Sequence, residues 1–167
     1  MKTLALLLAL LSLSLPALAK LGETEAQTQA RYGKPIEPVD VDNDLRIFKY
    51  LVRSNEVTVS FLKGESIMEL ITPPEEKGRF TREECQVLIA AISGKPIGEW
   101  KLMATDKTIT QWSHAEGFSA IESPNFTPAP LTVSSPKSLE HYRAKKAAEK
   151  KASEKSLGEA FGGPAPK

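Results

Sequence analysis

Few side chains in this sequence could do chemistry, and their spacing limits what that chemistry could be. The 167 residues include two histidines, His114 and His141, and one cysteine, Cys85. No two of them have the short spacing of a metal-binding motif. The GxSxG, GxGxxG and GxxxxGK[ST] motifs, which position nucleophiles or phosphates, do not occur. We therefore predict no metal site, no cofactor and no catalytic residue.

Trp112 and His114 are the candidates for ligand binding. Both fall in a predicted strand over about 108–115, where alternate residues share one face. One interpretation is ordinary sheet packing, with the histidine at a solvated edge. The other is an aromatic surface that binds a peptide or a glycan. A third role for His114 is in a hydrolase-like enzyme, with a partner residue that the sequence does not identify.

An acidic segment from Asp40 to Asp44 looks like the start of a calcium-binding loop. It lacks the glycine that such a loop needs at its sixth position, and Leu51 stands where the bidentate glutamate should be. We interpret the segment as a solvated acidic connector, which extends over 38–44.

Two helices must position these residues, and both begin with the same signal. The capping-box pattern Thr-x-x-Gln/Glu occurs at 24–27 and at 81–84, which predicts helices over about 24–32 and 82–93. In the second helix Cys85, Leu88, Ile89 and Ile92 follow helical spacing and should face the core. Cys85 is there interpreted as a small core residue, with a reactive or dimer-forming thiol as the alternative.

The rest of the body should be β-structure. Short apolar runs separated by turn residues are typical of an antiparallel meander. The segment 131–133 lies among four prolines and is interpreted as an edge strand or a packed linker. Strands are predicted at 45–53, 57–61, 67–71, 98–105, 108–115 and 118–122.

A four-residue repeat suggests a duplicated plan. Gly-Lys-Pro-Ile occurs at 33–36 and again at 94–97, in each case after a predicted helix and before predicted strands. Helix ends also reuse Gly and Pro for steric reasons, which is the alternative explanation. In either case we predict an α+β fold, mainly an antiparallel sheet with two helices packed on one face. A duplication would make it two tandem αβββ units.

Residues 1–19 have the pattern of a secretory signal peptide. A positive start is followed by an apolar run from Leu4 to Leu15 and by the small-x-small sequence Ala17-Leu18-Ala19. The run is shorter than the roughly 20 residues that span a bilayer. We expect cleavage after Ala19 and a periplasmic or secreted protein without a transmembrane segment. Cys85 is far from the cleavage site, so a lipid anchor there is not expected.

The near-neutral formal charge of +1 conceals a division between body and tail. Residues 20–136 carry 13 Lys+Arg and 17 Asp+Glu, whereas residues 137–167 carry 8 Lys+Arg and 4 Glu. We divide the chain into a signal peptide (1–19), a globular domain (20–136) and a basic tail (137–167). The tail is predicted to be a polar helix over about 137–157 with a disordered end, either solubilising or held weakly by an anionic surface. Nucleic acid is not an expected partner.

Two local patterns resemble those of a known family. Tyr32-Gly33-Lys34-Pro35 ends a short helix, and Phe61-Leu62-Lys63-Gly64 turns a strand pair. Over about 21–71 the chain resembles the helix-plus-meander modules of the beta-lactamase-inhibitor-protein-like fold, including the SmpA/OmlA lipoproteins. It also looks like short exported bacterial proteins without an assigned activity. The resemblance implies a module that binds other proteins and catalyses nothing.

These observations together favour an exported, non-enzymatic binding or protein-interaction module. Its partner would be a protein or a component of the cell envelope. The alternatives are the hydrolase-like enzyme that uses His114 and a structural dimer formed through the edges of the sheet.

Overall fold

The structure, a computed structural model, describes residues 20–40 and 44–160. Within these ranges the chain forms three α-helices and one antiparallel sheet, so the predicted α+β class is confirmed. The helices are α1 (Glu25–Tyr32), α2 (Arg82–Ser93) and α3 (Pro136–Ala160), with a 3-10 turn at Ile97–Glu99. The strands are β1 (Glu37–Asp40), β2 (Leu45–Val52), β3 (Asn55–Leu62), β4 (Glu65–Thr72), β5 (Trp100–Thr105), β6 (Thr110–His114), β7 (Ser119–Glu122) and β8 (Leu131–Ser134).

The order of the strands divides the molecule into two halves of similar layout. Across the sheet the order is β1-β2-β3-β4-β8-β7-β6-β5, and every neighbouring pair is antiparallel. One half consists of α1 and then β1–β4, and the other of α2 and then β5–β8. The halves join where β4 pairs with β8, from Met68↔Ser134 to Ile71↔Leu131. Each unit therefore has four strands after its helix, rather than the three of the predicted tandem αβββ unit.

Two segments have roles that the sequence interpretation did not assign. The connector predicted over 38–44 begins with strand β1, which pairs with β2 at the edge of the sheet. Pro38 is compatible with that position because an edge strand needs fewer backbone donors. The segment 131–133 is not at an edge but forms β8, in the centre of the sheet. Its neighbouring prolines lie outside the strand, so every residue of β8 keeps its backbone N–H.

Tight turns set the register of the β2–β3 and β3–β4 hairpins. Arg53 and Ser54 connect β2 to β3 with φ values of 49° and 68°, and Lys63 and Gly64 connect β3 to β4 with 54° and 83°. Two central residues with positive φ are typical of the type I′ turn, whose twist matches that of the paired strands.

One core cluster lies between the sheet and the helices α1 and α2. Both predicted capping boxes are present, and each helix ends at the glycine of the repeated Gly-Lys-Pro-Ile sequence. On α2 the side chains of Cys85, Ile89 and Ile92 are completely buried, and Leu88 packs against them at the margin of the core. Phe80 is also buried, as a hydrophobic staple before the helix requires.

The opposite face of the sheet is more open. Because side chains alternate along a strand, this face carries the residues between the core positions. Thr58, Leu70, Thr132 and Ile121 are neighbours across four strands, and each is only half-buried. Leu51, on β2, is 63% exposed.

Helix α3 packs on the body at its beginning. The Ser135 N–H donates to the carbonyl of Ile67 at 2.8 Å, and Ser138 is completely buried. From Tyr142 to Glu154 every side chain is exposed. The helix predicted over 137–157 is thus present, and its first turn belongs to the folded body. The predicted disordered end at 162–166 lies outside the described residues.

None of the helices within 20–40 and 44–160 combines the length and the apolar character that a membrane span requires.

Candidate functional site

Trp112 and His114 share one face of β6, and that face is the one covered by helices. Their side chains are only 3% and 7% exposed, and Trp112 belongs to the core cluster. Neither ring therefore presents an open face to solvent. A ligand could reach Trp112 only through a cavity, and the ligand-binding role of both residues stays a prediction.

His114 is held by protein groups on both of its ring nitrogens. The Glu116 N–H donates to Nδ1 at 3.1 Å, so the ring proton is on Nε2, which lies 3.0 Å from a carboxylate oxygen of Glu99. The rings of Trp100 and Phe118 contact the imidazole, with centroid distances of 5.5 and 6.0 Å. A general base needs a free nitrogen directed at a nucleophile, and this arrangement leaves none.

A cavity of about 190 Å³ reaches Trp112 from the surface near the start of α2. Its inner residues are Thr110, Trp112 and Glu122, all of them buried. Its outer residues are Arg79, Arg82 and Asp106, all of them exposed. We call this space the Trp112 cavity. It combines an aromatic wall with two guanidinium groups and two carboxylates.

The inner carboxylate of the Trp112 cavity is neutralised by the protein itself. Nη2 of Arg79 lies 2.9 and 3.0 Å from the two oxygens of Glu122, whose side chain is almost fully buried. Removing a carboxylate from water without a partner would destabilise the fold by several kcal/mol, roughly. This pair therefore maintains the inner end of the cavity rather than offering a free charge to a ligand.

The outer charged groups, Arg82 and Asp106, do not form an ion pair with each other. Within the described ranges the guanidinium of Arg82 makes no hydrogen bond and no ion pair. Oδ1 of Asp106 accepts hydrogen bonds from the hydroxyl and the N–H of Thr108 and from the N–H of Ile109, at 2.7, 2.7 and 3.0 Å. These bonds, first that of the Thr108 hydroxyl, hold the pKa of Asp106 below its usual value. Asp106 is thus a fixed anion beside an unpaired cation.

Sequence reasoning found Trp112 but not the charged residues around it. Thr105, Thr110 and Glu122 come together because β5, β6 and β7 are in register, which no local pattern specifies. Asp106 had a usable signal, since an aspartate two residues before a threonine is typical of an Asx turn. Arg79 and Arg82 flank the predicted start of α2, where nothing in their spacing indicated a cavity.

Cys85 lies on the same helix as Arg82 of the Trp112 cavity, but it is not accessible to solvent. Its thiol is completely buried, and burial first of all, then the Glu122 carboxylate, raises its pKa to about 12. A protonated, buried thiol is a poor nucleophile. The structure supports its interpretation as a core residue.

A second polar group is buried in the centre of the core. Glu69 of β4 is completely buried, and the hydroxyl of Tyr32 donates to its Oε2 at 3.1 Å. Its Oε1 and the hydroxyls of Thr28 and Tyr50 are buried without a hydrogen-bond partner. Burial raises the pKa of Glu69 to about 8, with Tyr32 acting in the opposite direction.

Metal chemistry finds no support in the described ranges. No three His, Cys, Asp or Glu side chains there come close enough together to hold an ion. The acidic segment from Asp40 to Asp44 lies mostly outside the described residues.

Comparison of the chain with protein-family models, with curated proteins and with solved structures finds no match. The resemblance to the beta-lactamase-inhibitor-protein-like modules therefore stays a prediction.

Proposed function

We propose that this protein is an exported binding module whose ligand is a zwitterion of amino-acid size. The observation that carries the proposal is the Trp112 cavity, where an unpaired Arg82 and the fixed anion Asp106 stand at the entrance to an aromatic wall. Export is proposed from the signal-peptide pattern of residues 1–19.

The charges of the cavity favour a ligand with two opposite charges over a simple anion. Arg79 and Glu122 neutralise each other, which leaves one cation and one anion at the entrance. A guanidinium binds a carboxylate through two parallel hydrogen bonds, and Asp106 can accept from an ammonium group through Oδ2. A ligand with only one of these charges would leave the other protein group unpaired.

The size of the cavity sets an upper limit on the ligand. About 190 Å³ is below the usual range for drug-sized ligands and is suited to a single amino acid. The indole of Trp112 forms the inner wall, which suits an aliphatic or aromatic side chain.

The exposed part of α3 has a separate role in this proposal. Its Lys145, Lys146, Lys150 and Lys151 are all exposed, and among residues 140–154 the helix has no apolar stripe that would dock on a protein. We propose weak attachment to an anionic surface such as lipid headgroups. Such attachment would be lost at high salt.

Binding is tested by nuclear magnetic resonance, with the Trp112 indole N–H as the reporter. L-Alanine should shift this signal, whereas ethylamine and propionate, which each carry one of its two charges, should not at the same concentration. Arg82→Gln and Asp106→Asn should each weaken binding at least about tenfold, because each removes a charge-assisted hydrogen bond. Asparagine keeps the Oδ1 acceptor that holds the turn.

Arg53→Gln is the matched control, because Arg53 is an exposed arginine in the β2–β3 turn, outside the cavity. It should bind as the unmodified protein does. The proposal fails if none of the free L-amino acids shifts the Trp112 signal. It also fails if ethylamine or propionate binds as well as the amino acid of the same carbon skeleton.

A further inference from the structure

The C-terminal half of α2 is apolar on every side, although one side faces solvent. Val87 to Ile92 are six consecutive apolar residues, which at 3.6 residues per turn surround the helix. A helix of this kind is normally buried on all sides. Here Ile89 and Ile92 face the core, but Val87 is 67% exposed, and Ala90 and Ala91 are half-buried.

The outer surface of α2 has the shape of a ridge between two hollows. One hollow, of about 350 Å³, lies between Val87 and the Phe80 side of the helix. The other, of about 560 Å³, lies between Val87 and Ile97 and includes Ala90 and Ala91. Val87 and Glu83 border both hollows and form the ridge.

We propose that a second copy of this chain covers this surface, through antiparallel contact of the two α2 helices. In a two-fold dimer the same patch must fit itself, and a ridge beside a hollow does so when one copy is reversed. The stripe Glu83, Val87, Ala90 and Gly94 is symmetric about the midpoint between Val87 and Ala90. Reversal therefore places each Val87 against Ala90 of the second copy, where a small residue leaves room for it.

The charges at the two ends of α2 complement each other in this arrangement. Glu83 and Gly94 are each 5.5 residues, or about 8 Å, from the midpoint, so each Glu83 faces Gly94 of the second copy. The side chain of Lys20 runs beside Gly94, 3.6 Å from where a Cβ would lie. Neither Glu83 nor Lys20 has a side-chain partner among the described residues. The dimer would gain a Glu83–Lys20 pair at each end and oppose the two helix dipoles.

The edges of the sheet are less suited to self-association. The edge strand β5 has a bulge between Leu102 and Ala104 and an exposed Lys101, and the other edge strand, β1, contains Pro38. Bulges, lysines and prolines are features that prevent pairing of strand edges. The proposed contact through α2 does not depend on the ligand of the Trp112 cavity.

The test is the molar mass of the purified protein in solution, measured by sedimentation equilibrium over a range of concentrations. The unmodified protein should be a dimer. Val87→Glu should raise the dissociation constant at least about 100-fold, because it buries a charge at the centre of the contact. Its circular dichroism should be unchanged, since Val87 contributes little to the core. Leu51→Glu, a matched change on the open face of the sheet, should leave the dimer intact.

The charge pairs provide an independent check. Glu83→Lys should weaken the dimer about tenfold, and adding Lys20→Glu should restore it by exchanging the two charges. The proposal is overturned if the unmodified protein is a monomer at concentrations up to about 1 mM. A dimer that survives Val87→Glu, or one that Leu51→Glu dissociates, would overturn it as well.

Discussion

At the scale of single residues, the most unusual side chain is the buried carboxyl of Glu69. Its strand partners are Val59 on β3 and Val133 on β8, so it lies in the middle of an apolar face. With a pKa raised to about 8 by burial, it is protonated at neutral pH and can donate a hydrogen bond. Burial of the Tyr50 hydroxyl, and then the nearby carboxylates of Glu25 and Glu69, raise the pKa of Tyr50 to about 12.

Glu69 should make the stability of the protein depend on pH in a recognisable way. In the unfolded chain a glutamate ionises near pH 4.5, whereas the folded protein keeps the proton up to about pH 8. The contribution of Glu69 to the free energy of unfolding is therefore fully present below pH 4.5 and falls as the pH rises towards 8, by at most about 1.4 kcal/mol per pH unit. Glu69→Gln should abolish this slope, as measured by urea unfolding at several pH values.

The control for this experiment is Glu75→Gln, which changes an exposed carboxylate in the loop before α2. It should leave the slope as it is. If Glu69→Gln kept the full decline between pH 5 and 8, the carboxyl would not be the group that holds the proton.

At the scale of elements, α2 contributes to both the Trp112 cavity and the proposed dimer contact. Its first turn, with Arg82, borders the Trp112 cavity. Its inner side supplies Cys85, Ile89 and Ile92 to the core, and its outer side carries the ridge of Glu83 and Val87. The capping box at Thr81 and the glycine at 94 fix where the helix begins and ends. These bounds in turn fix which side chains face the core, because successive side chains of a helix are rotated by a constant angle about its axis.

Three consecutive positions on α2 should respond to truncation in the order of their burial. Ile89→Ala should lower the free energy of unfolding by about 2–5 kcal/mol, because it leaves a cavity in the core. Leu88→Ala should have a smaller effect, since that side chain lies at the margin of the core. Val87→Ala should lower the free energy of unfolding of the monomer by less than about 1 kcal/mol.

Chemical denaturation of the three variants, at concentrations where the unmodified protein is monomeric, provides the measurement. Equal effects at positions 87 and 89 would contradict the orientation of α2 in which Ile89 faces the core and Val87 faces solvent.

At the scale of the whole molecule, the two halves form one sheet because β8 returns to pair with β4. This return places the last strand of the chain in the centre, and α3 follows directly from it. The start of α3 is therefore part of the body. A division of the chain after residue 136 passes through the first turn of this helix.

Truncation should reveal this boundary. Removal of residues from 142 onward should leave the melting temperature nearly unchanged, because every described side chain removed is exposed. Removal from 137 onward should lower it by several degrees, since the buried Ser138 and the half-buried Leu139 are lost as well. Thermal unfolding of both truncated forms is the measurement, and equal melting temperatures would place the start of α3 outside the body.

The sequence alone determined the local structure of this protein. Capping boxes, terminal glycines and apolar spacing are short-range signals, so they located α1 and α2 to within a residue and most strands to within a few. The four-residue repeat marked equivalent positions in the two halves. The alternation of side chains along β6 placed Trp112 and His114 on one face of the strand. It did not show which face of the sheet the helices would cover.

Only the tertiary structure decided which segments meet. β8 is central because it finds partners 60 residues away in β4 and close by in β7, and the prolines around it concealed that role. The pairing of β6 with β5 and β7 brings Asp106 and Glu122 to Trp112, while the packing of α2 brings Arg82 there. Contacts between distant segments depend on how whole elements fit together, and a local pattern of residue types contains no information about that fit.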